Sequence, residues 1–142
     1  MNIVRYTIGL SLFLLLGLHG FSQKQTVGTF INEEGVLDGY SLVSSLTSKK
    51  IYLIDNCGLK VHEWQTQNGT LVAYLQPNGD IIQAGVVQQA GNWGNGGQHG
   101  TLTRYSWNGT KLWSYTLSND NQMLHHDIEI MPNGNILAIA WK

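Results

Sequence analysis

Apolar positions follow two regimes along the chain. One unbroken apolar run extends from Thr7 to Leu18. Beyond residue 22 the apolar residues come in short, alternating, β-branched or aromatic segments separated by Gly, Asn, Asp and Pro. That pattern predicts strands at Tyr40 to Val43, Ile51 to Asp55, Lys60 to Trp64, Leu71 to Gln76, Asp80 to Val87, Leu102 to Ser106, Lys111 to Thr116, Asp127 to Met131 and Asn135 to Trp141. No helical period follows residue 22. The connections Pro77-Asn78-Gly79, Asn108-Gly109-Thr110 and Pro132-Asn133-Gly134 supply residues that tolerate positive φ, as tight hairpins require.

The first apolar run has a different meaning. It is about 12 residues long, too short to span a bilayer, and Arg5 precedes it. Gly20 and Ser22 place small residues at −3 and −1 of a cut before Gln23. Residues 1–22 therefore read as a cleavable signal peptide, with 23–142 exported to the periplasm or the extracellular space. No cysteine stands at the cut to carry a lipid. No second long apolar run follows, so no membrane association is expected after cleavage.

The strands repeat. Pro77-Asn78-Gly79-Asp80-Ile81-Ile82 and Pro132-Asn133-Gly134-Asn135-Ile136-Leu137 lie 55 residues apart. Gly58-Leu59-Lys60-Val61 and Gly109-Thr110-Lys111-Leu112 lie 51 apart. Periods of this size belong to solenoids and propellers. One unit contains strands A to D at 71–76, 80–87, 102–106 and 111–116. The expected fold is all-β, with four-stranded antiparallel meanders as β-propeller blades. Residues 23–142 supply about two blades, which reads as the N-terminal part of a longer propeller. Antiparallel order puts the B–C loop, Gln88 to Thr101, on one face with the D–A loop, Leu117 to His126.

Composition narrows the partners. The net charge is −1 and only 12% of residues are charged, which gives no footprint for nucleic acid or an acidic membrane surface. Cys57 is the single cysteine, so no intrachain disulfide can form and packing must hold the fold. Asn68-Gly69-Thr70 and Asn108-Gly109-Thr110 match the glycosylation sequon but read as hairpin turns.

Candidate chemistry concentrates on the B–C and D–A loop face. His125-His126-Asp127 falls where a D–A loop enters an inner strand. The first copy has Thr70, Leu71 and Val72 at the matching positions, so the strand scaffold does not require this triplet. Alternation places neighbours on opposite sides and His125 with Asp127 on one face, which leaves a metal reading open. The glycine-rich loop Gly91 to Gly100 opens no helix, so it is neither a P-loop nor a Rossmann turn. Its Trp93 and His99 share the face with the histidine pair and would suit an aryl, anionic ligand. His62 reads as structural, and Trp64, Trp107 and Trp113 as packing residues. No Ser-His-Asp arrangement, paired catalytic carboxylates or zinc-type cysteine spacing is found; Asp127 and Glu129 are a single i, i+2 pair.

Tyr52-Leu53-Ile54-Asp55-Asn56-Cys57-Gly58 with Val61-His62-Glu63-Trp64, the Pro-Asn-Gly hairpins, and His125-His126-Asp127 followed by Pro132-Asn133-Gly134-Asn135 resemble the bacterial arylsulfotransferase (aryl-sulfate sulfotransferase) family. The resemblance runs from about Gly39 to Trp141. It implies a six-bladed propeller and transfer of a sulfuryl group from a phenolic sulfate ester to a phenol through a sulfated histidine, with no nucleotide donor and no cofactor. It places the nucleophilic histidine and an arginine in later blades, beyond Lys142. His126 or His125 then supports the transferred group as a catalytic residue. Asp127, His99 and Trp93 line the substrate. Arg104, in a C strand, is poorly placed for the pocket. The other reading is an exported, non-enzymatic propeller whose loops bind a partner.

Overall fold

The computed structural model of the chain describes residues 29, 31–87, 93 and 96–142. The leader 1–22, the cut before Gln23, and Gly91, Asn92, Gly94 and Asn95 of the glycine-rich loop lie outside the described residues.

Among the described residues there are nine strands and no helix. They are β1 (Tyr40–Val43), β2 (Lys50–Asp55), β3 (Lys60–Gln65), β4 (Gly69–Leu75), β5 (Ile81–Val86), β6 (Gly100–Tyr105), β7 (Lys111–Thr116), β8 (Met123–Ile130) and β9 (Ile136–Trp141). Every strand expected from the apolar pattern is present. The largest difference is at β8, which starts at Met123 and not at Asp127. Met123 and Leu124 pair with Trp141 and Ala140 and are buried, so removal of their side chains from water extends the strand into the expected loop.

All neighbours pair antiparallel, in three sheets ordered β1-β2-β3, β4-β5-β6-β7 and β8-β9. The second sheet is the four-stranded meander anticipated for strands A to D. Successive sheets pack on one another through shared apolar cores, and the described strands do not close a ring. The A–B turns are tight because Gly79 and Gly134 take φ of +85° and +83°, a region closed to most side chains.

β5 explains why the middle sheet is the best packed. It is buried on both faces, and alternation sends its side chains to two different cores. Ile81 joins Ile51, Leu53, Trp64 and Tyr105 between the first and second sheets. Ile82 and Ala84 join Leu102, Leu124 and Ile128 between the second and third. Polar residues lock the first of these interfaces. Trp64 Nε1 donates to the Ser106 carbonyl at 3.1 Å, and His62 stacks on Trp107 with ring centroids 3.9 Å apart. His62 Nε2 also lies 2.7 Å from the Trp107 carbonyl. Arg104 on β6 forms an ion pair at 2.7 Å with Asp80, which ends the β4–β5 turn of the same meander. The third sheet is thinner. β9 pairs with β8 alone, and Leu137 and Ile139 on it are more than half exposed.

Candidate functional site

The site grows from an irregularity in β8. His125 pairs with Ile139, but the next paired residue is Ile128, opposite Ala138. His126 and Asp127 are thus extra residues in one strand, a β-bulge. β4 has the same feature in smaller form: Thr70 pairs with Gly85, Val72 with Ala84, and Leu71 alone is skipped. The bulge therefore belongs to the hairpin scaffold, and β8 carries it one residue wider.

This bulge overturns the expectation that His125 and His126 point to opposite sides. In a regular strand, neighbouring side chains diverge. Here His126 has φ +61°, the single positive φ outside glycine among the described residues. The turn brings the two rings together, with Nδ1 of His125 and Nδ1 of His126 2.7 Å apart. The ring planes are at 85°. A left-handed residue costs about 1–2 kcal/mol, and the surroundings hold it there. The His126 N–H donates to the Gly97 carbonyl at 2.5 Å. His99 N–H donates to the Leu124 carbonyl at 3.2 Å, and Gln98 bridges to His125. Residues 97–99 thus run along β8, held by an isolated antiparallel bridge.

The short contact fixes the hydrogens of the pair. One Nδ1 must carry a hydrogen and the other a lone pair. When both rings are neutral, one therefore exposes a lone pair at Nε2 and the other an Nε2–H donor. The His125 ring is held below the ordinary histidine range by burial first and by the neighbouring His126 second.

An aromatic wall backs the pair. His125 stacks on Trp141 at 4.2 Å and 17°. Trp141 stacks on Trp93 at 6.0 Å and 13°. Trp93 is fixed by its Nε1, which donates to the Asn119 carbonyl at 3.0 Å on the β7–β8 connection. The two loops expected to share a face do meet here.

The remaining expected site residues take other positions. His99 is fully buried, with neither ring nitrogen in a well-aligned hydrogen bond. Burial pushes it below the ordinary histidine range, partly countered by the nearby backbone of Thr101 and of His125. It is a wall under the site and not a rim. Asp127 is exposed, and its Oδ1 accepts from Tyr74 Oη at 2.8 Å and from the Ile128 N–H at 2.7 Å. Among the described residues no group of three or more His, Cys, Asp or Glu is arranged to hold a metal. A groove of about 270 Å³ beside the bulge is lined by Asp127 and Glu129 with Ile128, Leu137, Ala138 and Ile139. Its carboxylates oppose an anion, so an anionic ligand belongs on the histidine side.

Trp141, Tyr74 and Gly97 were not singled out in the sequence. The repeat offset held a signal for the first: Trp141 stands where the first copy has Val86. No protein-family model and no curated protein sequence matches the chain.

Proposed function

We propose that the His125–His126 corner receives the sulfuryl group of a phenolic sulfate ester in an aryl-sulfate sulfotransferase-like reaction. The observation that carries this reading is the 2.7 Å contact between the two Nδ1 atoms, made possible by the bulge. It gives one corner both an Nε2 lone pair and an Nε2–H donor. The lone pair suits attack on sulfur or acceptance of a phenol proton, and the donor suits a sulfuryl oxygen. The stack of His125, Trp141 and Trp93 offers a flat apolar face beside them for an aryl ring.

The reaction is a two-step displacement. A neutral imidazole nitrogen forms the N–S bond as the S–O(aryl) bond breaks, and the phenolate leaves and takes a proton. The oxygen of a second phenol then forms a new S–O bond as N–S breaks, losing its proton and restoring the imidazole. Either one of this pair attacks or, as the resemblance implies, a different histidine does and the pair holds the sulfuryl oxygens.

Turnover of 4-nitrophenyl sulfate with phenol as acceptor tests the reading. His126→Ala should lower the rate by roughly 10²–10³ while the melting temperature stays within a few degrees. Unchanged turnover in both His125→Ala and His126→Ala would discard the enzymatic reading in favour of an exported binding module.

A further inference from the structure

We propose that Tyr74, on the neighbouring sheet, is the positioning residue that keeps the β8 bulge in the form that joins His125 to His126. This rests on the reading of that pair as the working part of the site.

The geometry singles it out. Tyr74 lies on β4, and its hydroxyl reaches across to Asp127, the second residue of the bulge, at 2.8 Å. The same carboxylate oxygen accepts the Ile128 N–H at 2.7 Å, where regular pairing resumes. One oxygen thus clamps the downstream end of the bulge to a second sheet. Gly97 clamps the upstream end through the His126 N–H. Between the two clamps sits His126 at φ +61°. With the downstream clamp open, His126 and Asp127 are free to leave the left-handed turn, and alternation would carry the rings to opposite sides.

The Tyr74 ring packs against the core of Ile82, Ala84, Leu102, Leu124 and Ile128, so the ring has a structural role of its own. The hydroxyl is separable from it. A phenol donating to a carboxylate is a charge-assisted hydrogen bond, stronger than a neutral one. The hydrogen bond to Asp127 first, and burial second, hold the Tyr74 phenol above its ordinary range, with smaller contributions from the charges of Asp127 and Glu129. The donor therefore persists throughout the neutral range. At the equivalent place in its own copy, β8 has Glu129, so the clamp is not a general feature of the repeat.

The test reads ring tautomers by ¹⁵N–¹H correlation on the full chain, above the histidine titration range and without substrate. The unmodified protein should give one ring locked with its hydrogen on Nδ1 and the other on Nε2. Tyr74→Phe, which keeps the ring, should lose the Nδ1–H signature and leave both histidines as averaging tautomers. Asp127→Ala, which opens the clamp from the other side, should do the same. Asp127→Asn keeps an acceptor for the Tyr74 hydroxyl and should retain the signature. The Trp64 Nε1–H resonance, from the other core, should be unmoved in all three. A persisting signature in Tyr74→Phe, its loss in Asp127→Asn, or its absence from the unmodified protein would each overturn the proposal. None depends on turnover. A catalytically inert protein with the expected tautomers would leave the positioning role standing and remove only the sulfuryl-transfer reading.

Discussion

Gly97 lies flat against the His126 ring: a Cβ built on it would stand 2.6 Å from Nε2 and 2.7 Å from Cδ2. Gly97 also has φ +77°, which side chains rarely adopt. Gly97→Ala should therefore strain the backbone and push the imidazole out of the pair. The expected outcome is loss of about 1–2 kcal/mol of stability in denaturant unfolding, together with loss of the paired-ring signature. Gly96→Ala next to it meets no atoms, and should leave the ring pair in place.

Acid should weaken the same corner. His99 and His125 are both held below the ordinary histidine value, chiefly by burial. A depressed base favours the neutral folded form, so its contribution is full above the unfolded value of about 6.5. It is lost as pH falls from there through the lower folded value. Melting temperatures should decline over that window. His99→Leu removes one of the two groups and leaves no buried imidazole unpaired. Its stability at neutral pH should change by less than about 1–3 kcal/mol, and its loss of stability on acidification should be shallower.

Trp64 is fully buried and holds the first and second sheets together through its ring and its bond to the Ser106 carbonyl. Trp64→Ala should cost about 3–5 kcal/mol. That is a large part of what a small domain has, so the variant should be largely unfolded in mild denaturant. Trp107, 40% exposed, should tolerate the same change with a smaller loss.

His126→Gly should behave in the opposite way. Glycine adopts positive φ freely, so the strain of about 1–2 kcal/mol at this position is relieved. The melting temperature should hold or rise while the ring pair and any turnover that depends on it disappear. A falling melting temperature would mean that the imidazole contributes packing greater than the strain it imposes.

The strands were readable because each is a short apolar segment closed by Pro-Asn-Gly or Asn-Gly-Thr, and the 55-residue offset between Pro77 and Pro132 exposed the repeat. The contrast of His125, His126 and Asp127 with Thr70, Leu71 and Val72 marked the unusual positions. Their arrangement was not readable. Period-two alternation assumes an unbroken register, and nothing in the residue types announces that His126 and Asp127 stand outside it. The start of β8 was missed for a related reason: Met123 and Leu124 gain burial only from pairing with Trp141 and Ala140, a long-range fact. Tyr74 is one apolar-looking position in a strand, and only the packing of β4 against β8 gives its hydroxyl a partner.

The unequal bulges of β4 and β8 set a condition on moving chemistry between repeats. Counting back from each hairpin turn, Thr70 meets Gly85, whereas its counterpart His125 meets Ile139, one place nearer the turn. Everything upstream of the wider bulge is out of phase with the first copy by one residue, and a one-residue slip reverses the face of each side chain. Transplanting the triplet as Thr70→His, Leu71→His and Val72→Asp would deliver the right atoms in the wrong phase, with the two imidazoles on opposite sides of the strand. The triplet stands at the same distance from the hairpin turn in both copies, so what distinguishes the site is the pairing register as much as the histidines, and a repeat gains or loses the corner when its first strand slips by one residue against its partner.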